Sequence, residues 1–518
     1  MQDTFKHFTQ SQFSQRVINS LFSSQRLPLT IICFGILVRL VQYLSNRSLW
    51  NDEAALALNI VNRSYLQLLQ PLDYDQGAPI GFLLVEKLAI QLFGDSEYAL
   101  RLFPLLSAII SLFIFSDLAK QCLQPQAVPI ALALFVSLHT LVYYASEVKQ
   151  YSSDIMIGLL FCWLFMYIDR TRLSITQIAS MGIVGAIAIW FSHSAIFVLA
   201  GVGTSCLLLS CFFNKRAKRR NFLLFYLICL LNFAGSYFMS VKNLAAKEDL
   251  FKSWQDHGAF PSSIWDINWL ISSFINFFHI PLGFPDVFLV IAILAFIAGC
   301  FSLFNKKKEA LLILVSTIII TFCAAYLHKY PFKGRVVLFL TPFFIFLIAE
   351  GAAAVRRKTR STSFAKVGIL VLVLLLVPPI GTASYLIVNP YLRQEIRPVI
   401  SYVKEHQQHD DIIYIYQRAE YQFKYYAKKF GYQKGDYIIG IDDLDKYDGQ
   451  GISEEEWKRY TSDLDRLRGN KRVWIILSHV RTWAHESEKI TSYLDGFGKQ
   501  IDVFKRKGAF VYLYNLSL

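Results

Sequence analysis

Two adjacent carboxylates, Asp52 and Glu53, stand in the stretch WNDEAALA at 50–57, directly after the first apolar segment of the chain. Asn51 is a good helix N-cap, and the pair then occupies a first turn whose exposed amides favour negative charge, so capping alone accounts for it. Successive helical residues point about 100° apart, which keeps the two from facing each other and sharing a proton. The arrangement suits one carboxylate meeting a substrate while the other holds a cation or a neighbouring segment.

Three further groups carry candidate chemistry. The stretch YYASEVKQYSSD at 143–154 brings Glu147, Lys149 and Tyr151 to a span end, although tyrosines with flanking charges are also the ordinary look of such an end. HKYPFKGR at 328–335 brings Lys329, Lys333 and Arg335 to the side of the membrane where cations are disfavoured. An anionic ligand such as a lipid-linked phosphate explains that placement, and snorkelling to lipid head groups is the alternative. Arg39 and Arg101 lie inside or at the start of apolar runs, where a cation is costly and faces a cavity or the interface.

The elements that must position these residues follow from composition. The chain has 518 residues, 54% hydrophobic and only 17% charged, with a mean hydropathy of +0.39, which makes it a polytopic α-helical membrane protein. Its net charge of +14 sits in short loops between apolar runs, which argues for membrane lipids as partners and against nucleic acid. All eight cysteines fall in the apolar part, without disulfide or metal-ligand spacing. Residues 1–26 read as a polar cytoplasmic leader with no cleavage signature.

Runs long enough to cross a bilayer as helices are expected near 27–45, 100–119, 127–145, 152–168, 175–190, 195–213, 221–241, 286–304, 310–327, 336–354 and 364–388, about eleven in all. With the amino terminus inside, nineteen cations lie in the inner segments and ten in the longer outer ones, so the tail falls outside. The first outer loop, 46–99, reads as two amphipathic interfacial helices separated by the turn DYDQGAP at 73–79. A second, 242–285, carries Trp254, Trp265 and Trp269 at head-group level. Residues 389–518 read as a small extracytoplasmic α/β domain with strands at 411–416, 437–441, 473–477 and 509–514, helices between them, no Gly-rich phosphate loop and no catalytic part.

The order of a first span, LWNDEA, QGAPIGFLLVEKLAIQLFGDSEYALRLFPLLSA and then SEVKQY, together with GRVVLFLTPFFIFLIAEG at 334–351, resembles the GT-C superfamily of polyprenyl-phosphate-sugar-dependent glycosyltransferases. The branch with protein O-mannosyltransferases and lipid A aminoarabinose transferases is the most similar. The resemblance implies a GT-C type membrane domain over 27–388 in a bacterial plasma membrane, with the site on its outer face. It also implies an inverting transfer in which Asp52, with Glu53 beside it, is the base that activates a lipid, glycan or protein acceptor. Arg101 then holds the site together; Lys329, Lys333 and Arg335 receive the donor phosphate; and Glu147, Lys149 and Tyr151 line the sugar or acceptor side. The EKP-type motif of the aminoarabinose branch is replaced by QGAPIGF, with Asp75 as a substitute. A divalent metal ion is the one cofactor this superfamily leaves open, with His193, His257 and His279 as ligands provided that loops bring them to a carboxylate. A transporter or flippase of lipid-linked sugars is the competing class; it calls for repeated halves and mid-membrane charges, whereas the charges here gather at outer ends. A non-catalytic scaffold or receptor is the third.

Overall fold

A computed structural model of the chain describes residues 26–170, 174–213, 216–242, 248–360, 365–441 and 452–517. The expected leader and parts of the basic inner loops lie outside these residues. Among the described residues seven helices are long and apolar enough to cross a membrane, and four shorter apolar helices match the remaining expected runs. The chain is a multi-pass integral membrane protein.

The third expected span differs. It is broken at Leu138, which is extended, into helices Val128–Ser137 and His139–Tyr144. A helix end leaves carbonyls without partners, which hydrocarbon cannot satisfy. Arg39, buried in helix Arg26–Leu44, supplies the donors: its guanidinium bonds the carbonyls of Phe135 and Val136 at 3.1 Å and that of Gly35 at 3.0 Å. The intramembrane cation therefore caps a helix.

Helix Thr341–Thr359, preceded by a 3-10 stretch over Gly334–Leu340, is the central post of the bundle. It crosses helix Asp286–Lys306 closely. A Cβ on Gly351 would overlap the Ala295 carbonyl, and one on Gly299 that of Leu347, so each glycine admits the other helix's backbone.

The first long loop, 46–99, expected on the outer side, forms helix Asn51–Asn62, a 3-10 turn at Gln67–Leu69 and helix Ile80–Phe93. In the intervening turn Tyr74 and Asp75 have φ of +61° and +53°, left-handed values that cost L-residues energy. The second long loop, also expected on the outer side, contains helices Glu248–Asp256 and Ile267–His279, and leaves Trp265 exposed.

The tail is a five-stranded sheet in the order β2-β1-β3-β5-β4, with β1 Ile412–Ile415, β2 Ile438–Ile439, β3 Val473–Ser478, β4 Lys499–Arg506 and β5 Ala509–Asn515. The first three are parallel, whereas β5 runs antiparallel to both β3 and β4. Strand β4, KQIDVFKR, was not among the expected strands: it is a charged, largely exposed edge. Alternation divides the sheet between two cores. Tyr414, Ile475 and Tyr512 face helices Glu454–Asp465 and Glu486–Asp495, while Ile413, Trp474, Ile476 and Val511 join Val399 and Phe423.

That second core also contains Leu49, Ala54, Leu56 and Leu58 of the first long loop, so the loop is roofed by the tail. Polar contacts reinforce the join. Arg397 bonds Glu97 at 2.8 Å and the Asn46 carbonyl at 2.7 Å; Glu395 accepts from the Ser48 amide at 3.1 Å and its hydroxyl at 3.0 Å. The Tyr426 hydroxyl accepts from the Leu49 amide at 2.9 Å and donates to Glu97 at 2.8 Å.

Candidate active site

Helix Asn51–Asn62 begins one residue earlier than its sequence suggests: Trp50 holds the N-cap position and Asn51 is the first helical residue. An indole cannot accept a hydrogen bond from the helix amides. The tail does so instead, Gln394 Oε1 accepting from the Asn51 amide at 3.1 Å.

The two carboxylates are unequal. Glu53 has no accessible side-chain surface and is enclosed by donors: Arg101 Nε and Nη2 at 3.0 and 2.8 Å, the Val148 amide at 2.9 Å, and Arg47 Nη2 at 3.9 Å. Arg101 also bonds the Arg47 carbonyl at 2.6 Å. Burial opposes ionisation of Glu53, but Arg101 and Arg47 reverse it and hold the pKa below the usual carboxylate range. This cluster fastens the first loop to helix Glu97–Cys122 and to the 146–150 loop.

Asp52 points the other way and keeps 19% of its side chain accessible. Lys149 Nζ donates to its Oδ1 at 3.0 Å, and Arg335 Nη2 lies 2.5 Å from Oδ2 as an ion contact without an aligned hydrogen bond. Burial would raise the Asp52 pKa; the Arg335 and Lys149 charges outweigh it and hold the group well below the carboxylate range. Lys149 is shared with Gln76, whose Oε1 accepts at 2.6 Å. Gln76 lies just after the strained Tyr74–Asp75 turn and lines a groove with Leu72, Ile80 and Met239.

Beyond Arg335 an aromatic and cationic layer begins. Its guanidinium carbon lies 5.1 Å from the Trp50 ring centroid and 5.9 Å from that of Tyr151. Arg393, from the tail, lies 3.4 Å from the same Trp50 centroid. Glu147 accepts from Trp50 Nε1 at 3.1 Å, and its other oxygen is buried without a hydrogen-bond partner. Burial, with Glu53 adding to it, pushes the Glu147 pKa up to about 7. Gln394 Nε2 lies 2.7 Å from His479 Nδ1, and the His479 ring is 6.1 Å from that of Trp50. Because the Gln394 carbonyl is taken by Asn51, its amide nitrogen faces His479, so Nδ1 accepts and Nε2 carries the proton. Burial, followed by the Arg418 and Arg393 charges, lowers the His479 pKa to about 4 and leaves the imidazole neutral.

Asp52, Glu53, Arg101, Glu147, Lys149, Tyr151 and Arg335 thus come together from four segments. Lys329 and Lys333 do not join them. Lys329 is exposed, and Lys333 donates to the His257 carbonyl in the second long loop. Asp75 is half-buried in the turn, and its neighbour Gln76 makes the contact. The three histidines also stay apart: His193 bonds Ser240, His257 bonds Ser253 and His279 pairs with Asp286. Among the described residues no three His, Cys, Asp or Glu side chains converge as metal ligands, and the place beside Asp52 is filled by two cationic side chains. These residues do not fit a divalent metal. Sequence reading missed Trp50, Gln76, Arg393 and His479. Trp50 was legible beside the acidic pair, and Arg393 as a cation just past the last span.

No family model and no curated protein matches the chain. Solved structures do. ArnT from Cupriavidus metallidurans in the apo state superposes with a TM-score of 0.54 at 12% identity over 94% of this chain and 98% of that one. The same protein bound to undecaprenyl phosphate gives 0.54 at 11% over 95% and 99%. The archaeal oligosaccharyltransferase AglB from Archaeoglobus fulgidus, with an inhibitory peptide and a dolichol-phosphate, gives 0.55 at 11% over 94% of this chain and 74% of that one. The likeness is one of fold.

Proposed function

We propose, from the GT-C fold that this chain shares with those enzymes, that it is an inverting glycosyltransferase moving a sugar from a polyprenyl phosphate to a lipid, glycan or protein acceptor at the outer membrane face, with Asp52 as base. Two of the similar structures contain a polyprenyl phosphate, undecaprenyl in one and dolichyl in the other, which supports a donor of that class. The observation that carries the reading is the inequality of the acidic pair: Glu53 is sealed by arginines, and Asp52 alone stays accessible between Lys149 and Arg335.

Clamped by two cations, Asp52 is ionised across the neutral range but weakly basic. Lys149 has a second partner in Gln76, and burial lowers its own pKa, so it is the cation that gives way when an acceptor enters. The acceptor proton passes to Asp52 as the acceptor oxygen bonds the anomeric carbon. The bond from that carbon to the phosphate oxygen breaks, its electron pair stays on the phosphate, and Arg335 meets the growing charge. Phosphate leaves readily and needs charge neutralisation more than an acid.

The test is transfer from a panel of polyprenyl-phosphate sugars by the purified protein and by its Asp52→Asn variant. Loss of a positioned base is expected to lower kcat by about 10²–10⁴-fold, with donor affinity unchanged. Wild-type turnover by the variant removes Asp52 from the mechanism.

A further inference from the structure

We propose that the tail completes the donor-phosphate site, with the Arg393 guanidinium and the His479 Nε2–H as phosphate ligands beside Arg335. This rests on the polyprenyl-phosphate donor argued above. The tail lacks a phosphate loop, and the phosphate-binding residues instead come from the segment after the last span and from the end of β3.

Charge is the first argument. Of the cations around Trp50, Arg47 and Arg101 are committed to Glu53, and Lys149 and Arg335 share Asp52. Arg335 and Arg393 lie over one indole, and the carboxylate between them and Arg47, Glu147, is half-engaged by Trp50. Five cations, Arg47, Arg101, Lys149, Arg335 and Arg393, thus face three carboxylates, Asp52, Glu53 and Glu147, a net positive cluster that an anion would balance.

Position is the second. In an inverting displacement the base and the leaving group act on opposite faces of the sugar. Arg335 touches both Asp52 and the Trp50 ring, and Arg393 and His479 lie against the same ring, next to the cation that meets the leaving phosphate. His479 is held for this use: its tautomer is set by Gln394, and its φ of +57° is a strained value for a non-glycine residue at a strand end. The donor is a phosphodiester with one negative charge, and the leaving polyprenyl phosphate approaches two. A second guanidinium therefore binds the product and the transition state more strongly than the donor.

The full-length protein in detergent is titrated with polyprenyl phosphate and with the matching polyprenol, following Trp fluorescence. The wild type is expected to prefer the phosphate. Arg393→Gln should weaken phosphate binding at least about tenfold and leave polyprenol binding unchanged, and Arg393→Lys should recover part of the loss. His479→Gln should weaken the phosphate severalfold. Equal phosphate binding by Arg393→Gln and wild type, or a loss of both ligands together, overturns the proposal while leaving the donor class intact. A wild type that does not distinguish phosphate from polyprenol overturns the donor reading as well.

Discussion

Glu147 is the residue of the candidate site whose protonation changes near neutral pH. Its pKa lies near 7 because burial and Glu53 both disfavour its charge, whereas an unfolded Glu titrates near 4.3. Between these values the folded state binds more protons than the unfolded one. The contribution of Glu147 to stability is therefore fully present below about pH 4 and is lost as pH rises through 7, where the buried charge forms. Glu147→Gln cannot ionise. It is expected to flatten the decline, so that thermal unfolding in detergent shows the variant more stable than wild type at pH 8 and nearly equal to it at pH 5. A parallel decline in both proteins would move the titration elsewhere. The same change should leave Arg335 and Arg393 less neutralised above pH 7 and strengthen phosphate binding there.

At the scale of elements, the hairpin of β4 and β5 sets the place of Arg393. Gly508 at its turn has φ +67°, and a Cβ there would overlap the Arg393 carbonyl oxygen. The Glu395 amide donates to the Lys507 carbonyl at 2.8 Å, and Ser478 Oγ, next to His479, donates to the Gly508 carbonyl at 3.1 Å. Gly508→Ala, on a surface turn outside the site, is expected to reduce kcat/KM severalfold while circular dichroism remains unchanged. Full activity in the variant would release Arg393 from the hairpin's control. This hairpin also marks where sequence reading stopped. The apolar runs, the two helices of the first loop and four strands were legible because burial imposes a period on their residues. β4 is an edge whose alternation, Ile501 and Val503 among charges, resembles a solvated loop. The Asp52 half of the site was legible because WNDEAALA is local, whereas nothing periodic links Trp50 to Arg393 or His479.

For the whole molecule, the site lies where the tail covers the first loop, at one end of the helical bundle. At the other end Lys307 bonds the carbonyls of Gln121 and Leu123, and Arg357 pairs with the buried Glu350. That end carries the basic segments 306–308 and 356–360, which the positive-inside rule assigns to the cytoplasm. A cysteine replacing the exposed Lys329 should accordingly react with a membrane-impermeant thiol reagent added outside intact cells, and one replacing Lys306 only after permeabilisation. The reverse pattern would invert the site's orientation.

The join between tail and first loop also has a consequence in time. Ser48 meets Glu395, and Asn46 meets Arg397, across 347 and 351 residues of chain. At a synthesis rate of about 5–20 residues per second the first loop waits roughly 20–70 s for its roof. During that interval the apolar face of helix Asn51–Asn62 and the carboxylate of Glu97 have no tail to cover them. A chain cut before residue 393 therefore carries Asp52 and Glu53 in full and still lacks Arg393, Glu395 and Arg397, the tail residues that meet the first loop.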